Sequence, residues 1–198
     1  KNHPAYFFFM REAAFAGSFY PLQKIELEKQ LASFEHECSG EKELEKIAGQ
    51  KVFAVVSPHA GYQYSGFTAM HSFLALSRSA LIANSNSNAA GKERAFAIFS
   101  PNHTGLGAQT ALSLEDWQTP LGTVKSNAKL CHELLSSSNY LQASEEAHVQ
   151  EHGIEVQLPF LQKNFPCASI AAVTMMRSEN VLEVAEVNVG DARDRGGE

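Results

Sequence analysis

Three runs, KVFAVVS at 51–57, ERAFAIFS at 93–100 and ASIAAVTMM at 168–176, constrain the fold more than any other feature of the chain. Each is apolar at consecutive rather than alternate positions, the pattern of a strand covered on both faces. In the first, Phe53–Val56 reads as a buried strand. Segments with helical spacing lie between these runs, so the expected architecture is α/β: a mostly parallel sheet flanked by helices. In such sheets ligands gather at the carboxyl ends of the strands.

The helical segments are read from their periodicity. LQKIELEKQLASFEHE places Ile25, Glu28, Leu31 and Phe34/Glu35 at helical intervals, an amphipathic surface helix. CSGEKELEKIAGQK is polar enough to read as a solvated connection. SGFTAMHSFLALSRSALI carries Phe67, Met70/His71, Leu74, Arg78 and Leu81 on a stripe, with Ser65 as N-cap. ANSNSNAAGKER has nothing to bury and reads as a loop. ALSLEDWQTPLGTV reads as a strand and a turn, with Trp117 as a packing residue, and SNAKLCHELLSSS as a short helix. EHGIEVQLPFLQKNF is expected to be one helix kinked at Pro159.

The composition excludes some functions. With 198 residues and 44% hydrophobic content, the chain suits one domain that buries a core without staples. A net charge of −6 argues against nucleic acid and anionic membrane as partners. No apolar run approaches the roughly 20 residues of a membrane span, and KNHPAYFFFM lacks the form of a signal peptide. The cysteines, Cys38, Cys131 and Cys167, form no framework, so a cytoplasmic location is expected. Cys131 and Cys167 read as buried small hydrophobes; His36, His132 and His148 read as surface residues, and His71 as a packed one.

Two of the apolar runs end in the same way. KVFAVVS leads into Pro58-His59, and ERAFAIFS into Pro101-Asn102-His103. Turns at the ends of parallel strands converge, so His59 and His103 are expected to face each other. One histidine after a strand is ordinary; two in matched settings suggest a pair of neutral imidazole donors for zinc, copper or iron. Gly61, Gly105 and Gly107 permit positive φ beside a ligand, and Tyr62 and Tyr64 would bring hydroxyls to the cleft. In EEAHVQEHGIEVQLP, Glu151, His152 and Glu155 lie within one helical turn. They could act as acid/base or orienting groups, although spacing alone fits equally an acidic helix N-terminus. GxGxxG, the Walker pattern and GxSxG are all missing from the sequence.

REAAFAGSFYP, VSPHAGYQYSG, FSPNHTGLG, DWQTPLG and EHGIEVQLPFL, in this order, resemble the Memo family, whose prokaryotic members are called AmmeMemoRadiSam system protein B. The resemblance implies a fold related to the class III extradiol, LigB-type, non-haem iron dioxygenases. It implies that His59 and His103 contribute to a metal pocket and that His152 points into the same cleft. By this reading iron or copper is bound at His59 and His103, and Gly61 and Tyr62 line the cofactor. His152 and Glu155 serve the chemistry on a small substrate. The resemblance also brings an association with signalling and cell motility. The alternative function is a non-catalytic module holding a peptide or phosphopeptide in the same cleft. The motifs span residues 11–176, the expected domain; relatives continue with an SSD-x-x-H-type segment and a later Cys or His ligand. Residues 177–198 carry neither and read as a divergent, flexible tail, so the sheet is expected to be incomplete.

Overall fold

In a computed structural model of the chain, the described residues are 10–79 and 93–177. The Asn/Ser-rich stretch from 80 to 92, the N-terminal aromatic cluster before Met10 and the tail from 178 lie outside them. In chain order the elements are β1 (Met10–Arg11), α1 (Lys24–Cys38), α2 (Lys42–Ile47), α3 (Tyr62–Ser77), β2 (Arg94–Pro101), β3 (Thr110–Ser113), β4 (Asp116–Thr119), β5 (Gly122–Ser126), α4 (Ala128–Ser137), β6 (Gln142–Ala143), α5 (His152–Glu155), α6 (Leu158–Asn164) and β7 (Ala168–Met175). A 3-10 turn, Glu145–Ala147, precedes α5. The class is α/β, a mixed sheet with helices packed against it.

The apolar run at 168–175 becomes the centre of the sheet. β7 pairs in parallel with β2 along its whole length, Arg94 opposite Ala168 through Pro101 opposite Met175. On its other edge β5 pairs in parallel at the start, and β3 runs antiparallel at the end. Alternation along β7 divides two cores. Ile170 and Ala172 face the larger one, with Leu27, Leu31, Met70, Phe73, Phe160 and Leu161; Ala171 and Val173 face the smaller one, with Leu112, Cys131 and Leu134 from β3 and α4. Each fully buried Leu or Phe contributes about 1.5–3 kcal/mol. The DWQTPLGTV segment forms the hairpin β4–β5, with Trp117 fully buried.

Several expectations are corrected. Phe53–Val56 is not a strand: residues 51–59 form no ladder, Phe53 is 79% exposed and Val56 95% exposed. No described strand pairs with the segment. Side chains of the α3 region hold it instead, with Ser79 Oγ accepting from the Val52 N–H and Ser72 Oγ donating to the Val56 carbonyl. Val52 and Val55 still pack on the core. Pro159 does not kink a helix but stands in the first turn of α6, where a missing N–H costs nothing; α5 and α6 are separate. In α1 the buried stripe is Leu27, Leu31 and Cys38, while Ile25 faces solvent. The polar connection contains α2, anchored by buried Leu44. Gly61, not Ser65, caps α3. Cys167 is exposed, and His148 is buried in the interior. No helix among the described residues is long and apolar enough to cross a membrane.

Candidate metal centre

His103 follows the carboxyl end of β2, in a loop organised by its neighbour. Asn102 Oδ1 accepts from the backbone N–H groups of Thr104 and Gly105 and from the Thr104 hydroxyl, and Asn102 Nδ2 donates to the Leu106 carbonyl. An Asn side chain that closes its own turn in this way fixes the backbone on which the histidine stands. Gly105 and Gly107 have φ of 69° and 72°. At Gly107 a Cβ would also lie 2.7 Å from the Ala147 nitrogen, so both conformation and space require glycine there.

His59 ends the extended segment before α3. Gln157 Nε2 donates to the Pro58 carbonyl at 3.0 Å, and the Tyr62 N–H donates to the Phe19 carbonyl at 2.8 Å. Gly61 has φ −57°, so no positive φ is used there. Tyr62 is buried in the larger core and its hydroxyl donates to the Val156 carbonyl; burial pushes that phenol's pKa well up. Tyr64 lies exposed on α3.

His152 opens α5, immediately after its N-cap Glu151, whose carboxylate accepts from the Gly153 N–H at 2.9 Å. The three imidazoles meet. Ring centroids are 5.1 Å apart for His59–His103, 5.6 Å for His59–His152 and 4.5 Å for His103–His152. One nitrogen from each lies within 4.8 Å of the others. Phe15 and Phe19 wall the far side of His152, at centroid distances of 5.5 and 4.8 Å.

Glu151 ties two of these elements together. Its carboxylate is fully buried and accepts from both the backbone N–H of His103, at 2.6 Å, and the ring Nδ1 of His103, at 2.8 Å. Burial alone would raise its pKa, but the N–H groups of Gly153 and His103 outweigh that and hold it below the usual value. A carboxylate accepting at Nδ1 keeps the proton there and leaves Nε2 of His103 as the free lone pair. Burial lowers the pKa of His59 and of His152, and the neighbouring His103 lowers both further. Neutral rings of this kind are the form that ligates a metal.

The donor set fits a transition metal. Imidazole bonds such ions at about 2.0–2.1 Å, so two donors on one ion stand at most about 4.2 Å apart, and the three nitrogens, within 4.8 Å of one another, lie close to that spacing. Glu155, in contrast, faces away from the cluster. It is fully buried, and its oxygens accept from Arg11, Tyr20 and the N–H groups of Ala14 and Phe15. Glu151 as the partner of His103, and Arg11 and Tyr20 as partners of Glu155, are not identified by sequence reasoning. Contacts across 48 and more than 130 residues leave no local signature.

The model of the family described as "Memo-like protein" matches residues 11–192. The chain is 42% identical over 181 residues to a "MEMO1 family protein" of Thermotoga neapolitana, covering 88% of this chain and 61% of that one. A "MEMO1 family protein" of Metallosphaera sedula is 39% identical over 184 residues, with coverage of 89% and 61%. One of Thermoplasma acidophilum is 40% identical over 186 residues, with coverage of 92% and 60%. The chain thus spans about three fifths of the length of these relatives. The family model's match over most of the chain and the identity to these relatives agree: the chain belongs to the Memo family.

Proposed function

We propose that His59, His103 and His152 hold a transition metal, iron or copper, and that the protein performs metal-dependent redox or oxygen chemistry on a small molecule. The observation that carries this reading is the set of three imidazole nitrogens, one from each histidine, within 4.8 Å of one another. When bound, the metal would supply an electrophilic, redox-active centre with coordination positions left open to a substrate. The chain's own residues prepare the place for it. Glu151 sets the tautomer of His103; Asn102 holds its loop; Phe15 and Phe19 cover His152 and exclude water from one side. Within the α/β class we read the sheet as a relative of the extradiol dioxygenase fold, a reading supported by membership of the Memo family.

Titration of the metal-free protein with Fe(II) and Cu(II) tests the site. Wild type is expected to take up one equivalent, and His59→Ala or His152→Ala to weaken binding by at least 100-fold. Unchanged stoichiometry and affinity in both variants would reject the reading.

A further inference from the structure

Arg11 and Glu155 lie 144 positions apart and bond none of the three imidazoles in the cluster, yet apart from a bond from Arg11 Nη1 to the neighbouring Glu12 carbonyl, their hydrogen bonds end on segments that build it. Arg11 is buried, with its guanidinium 4.1 Å from the ring centroid of Trp117. Its Nε donates to the His148 carbonyl at 2.7 Å, and its Nη2 to the Glu151 carbonyl at 2.8 Å. Its Nη1 donates to Glu155 Oε2 at 2.7 Å. One planar fork therefore spans both ends of the turn 148–151 and the end of α5. Glu155 extends the grip to the opposite wall. It accepts from the N–H groups of Ala14 and Phe15 at 3.1 and 2.8 Å, and from the Tyr20 hydroxyl at 2.6 Å. That loop carries the Phe15 and Phe19 rings that face His152.

A buried ion pair is a weak source of net stability, since desolvating the two charges offsets their attraction. Its geometric effect is larger. Without Arg11 the Glu151 carbonyl loses its guanidinium donor, the His148 carbonyl keeps only the Glu151 N–H, and the turn relaxes. The Glu151 carboxylate, which must meet two N–H groups of His103 at once, would then lose its register.

We propose that Arg11 and Glu155 are positioning residues for the three-histidine centre: they fix the turn 148–152 so that Glu151 holds the His103 ring and His152 faces it. The proposal deepens the metal reading and uses it for one of its two readouts. The probe for that readout is Co(II), titrated into metal-free protein and followed by its visible absorption. Arg11→Lys keeps the charge but cannot span the four acceptors of the guanidinium, and Glu155→Gln keeps the shape but loses the charge. Each is expected to weaken Co(II) binding about 10–100-fold, the usual effect of losing an outer-sphere partner. In a Glu151→Gln background the same substitutions are expected to cost little more, because they act through Glu151. A general loss of packing would instead add in full in both backgrounds, and that result, or no loss at all, overturns the proposal.

The second readout needs no metal. Nitrogen NMR of the His103 ring is expected to show a dominant Nδ1–H tautomer in wild type and a reduced one in Glu155→Gln and Arg11→Lys. If wild type binds none of Co(II), Fe(II) and Cu(II), the metal reading falls and the tautomer decides alone: a shift supports positioning, and an unchanged population in both variants rejects it. Glu155→Gln, being isosteric, serves where Arg11→Lys does not fold.

Discussion

At the scale of single residues, the most exceptional side chain outside the three-histidine cluster is His148. It is 1% exposed, packed edge-on against Trp117 at 5.7 Å, and neither ring nitrogen makes a well-formed hydrogen bond among the described residues. Burial drives its pKa down to about 4, with the Arg11 charge adding to the shift and the Ala111 backbone and Glu151 opposing it. The sign of the consequence follows from linkage. Above about 6.5 the ring is neutral both folded and unfolded and contributes no pH dependence. As pH falls from 6.5 toward 4 the unfolded chain takes up a proton that the folded one refuses, so stability is lost over that window. At up to about 1.4 kcal/mol per pH unit, the loss at pH 5 is about 2 kcal/mol. Urea denaturation at pH 7 and pH 5 checks this: His148→Leu should be about 2 kcal/mol less acid-sensitive than wild type. Sequence reading places this histidine on the surface, because nothing in EEAHVQE signals that the segment folds inward under Arg11. The same holds for Glu151, whose value to the site depends on a loop 48 residues away.

At the scale of elements, helix packing and turn geometry carry the sharpest expectations. Gly66 on α3 lies against Phe34 of α1, and a Cβ there would be 2.4 Å from the Phe34 ring. Gly66→Ala must displace an aromatic ring held between Tyr62 and Phe160, and overpacking of this kind costs about 1–3 kcal/mol. Gly107→Ala meets both a positive φ and a backbone nitrogen at 2.7 Å, so the loop that carries His103 must shift. Thermal melting is expected to fall for both variants, and metal binding to fall further for Gly107→Ala than for Gly66→Ala. Periodicity identifies α1, α3 and α4, because their apolar stripes are local; the segment from 111 to 124, read as a strand and a turn, instead forms the end of β3 and the β4–β5 hairpin. Periodicity does not separate α5 from α6: one apolar stripe runs through both, and the break at Val156–Gln157 is made by tertiary hydrogen bonds.

For the whole molecule, the sheet is unevenly covered. β7 is buried from Ser169 to Thr174, whereas β2 alternates, and its outward Phe99 is 41% exposed. Among the described residues no strand pairs with the second edge of β2. Phe53 and Val56 add exposed apolar surface on the segment beside α3. Apolar surface gathered in this way binds hydrophobic dyes. Replacing Phe53 and Val56 together with Ser is expected to lower the fluorescence of bound anilinonaphthalene sulfonate at least two-fold. The melting temperature should change by less than about 2 °C, because these side chains already face water.

The apolar runs, the matched Pro-and-His turns and the five ordered motifs were enough to establish an α/β chain of the Memo family, since each is a property of neighbouring residues. Pairing, burial and partnership were decided only by the tertiary structure. Whether 53–56 becomes a strand depends on what lies beside it, and its hydrogen-bonding groups found side chains instead. Whether a carboxylate serves a histidine or an arginine depends on which way the backbone turns. Glu151 and Glu155 stand one helical turn apart, and the fold directs one to His103 and the other to Arg11.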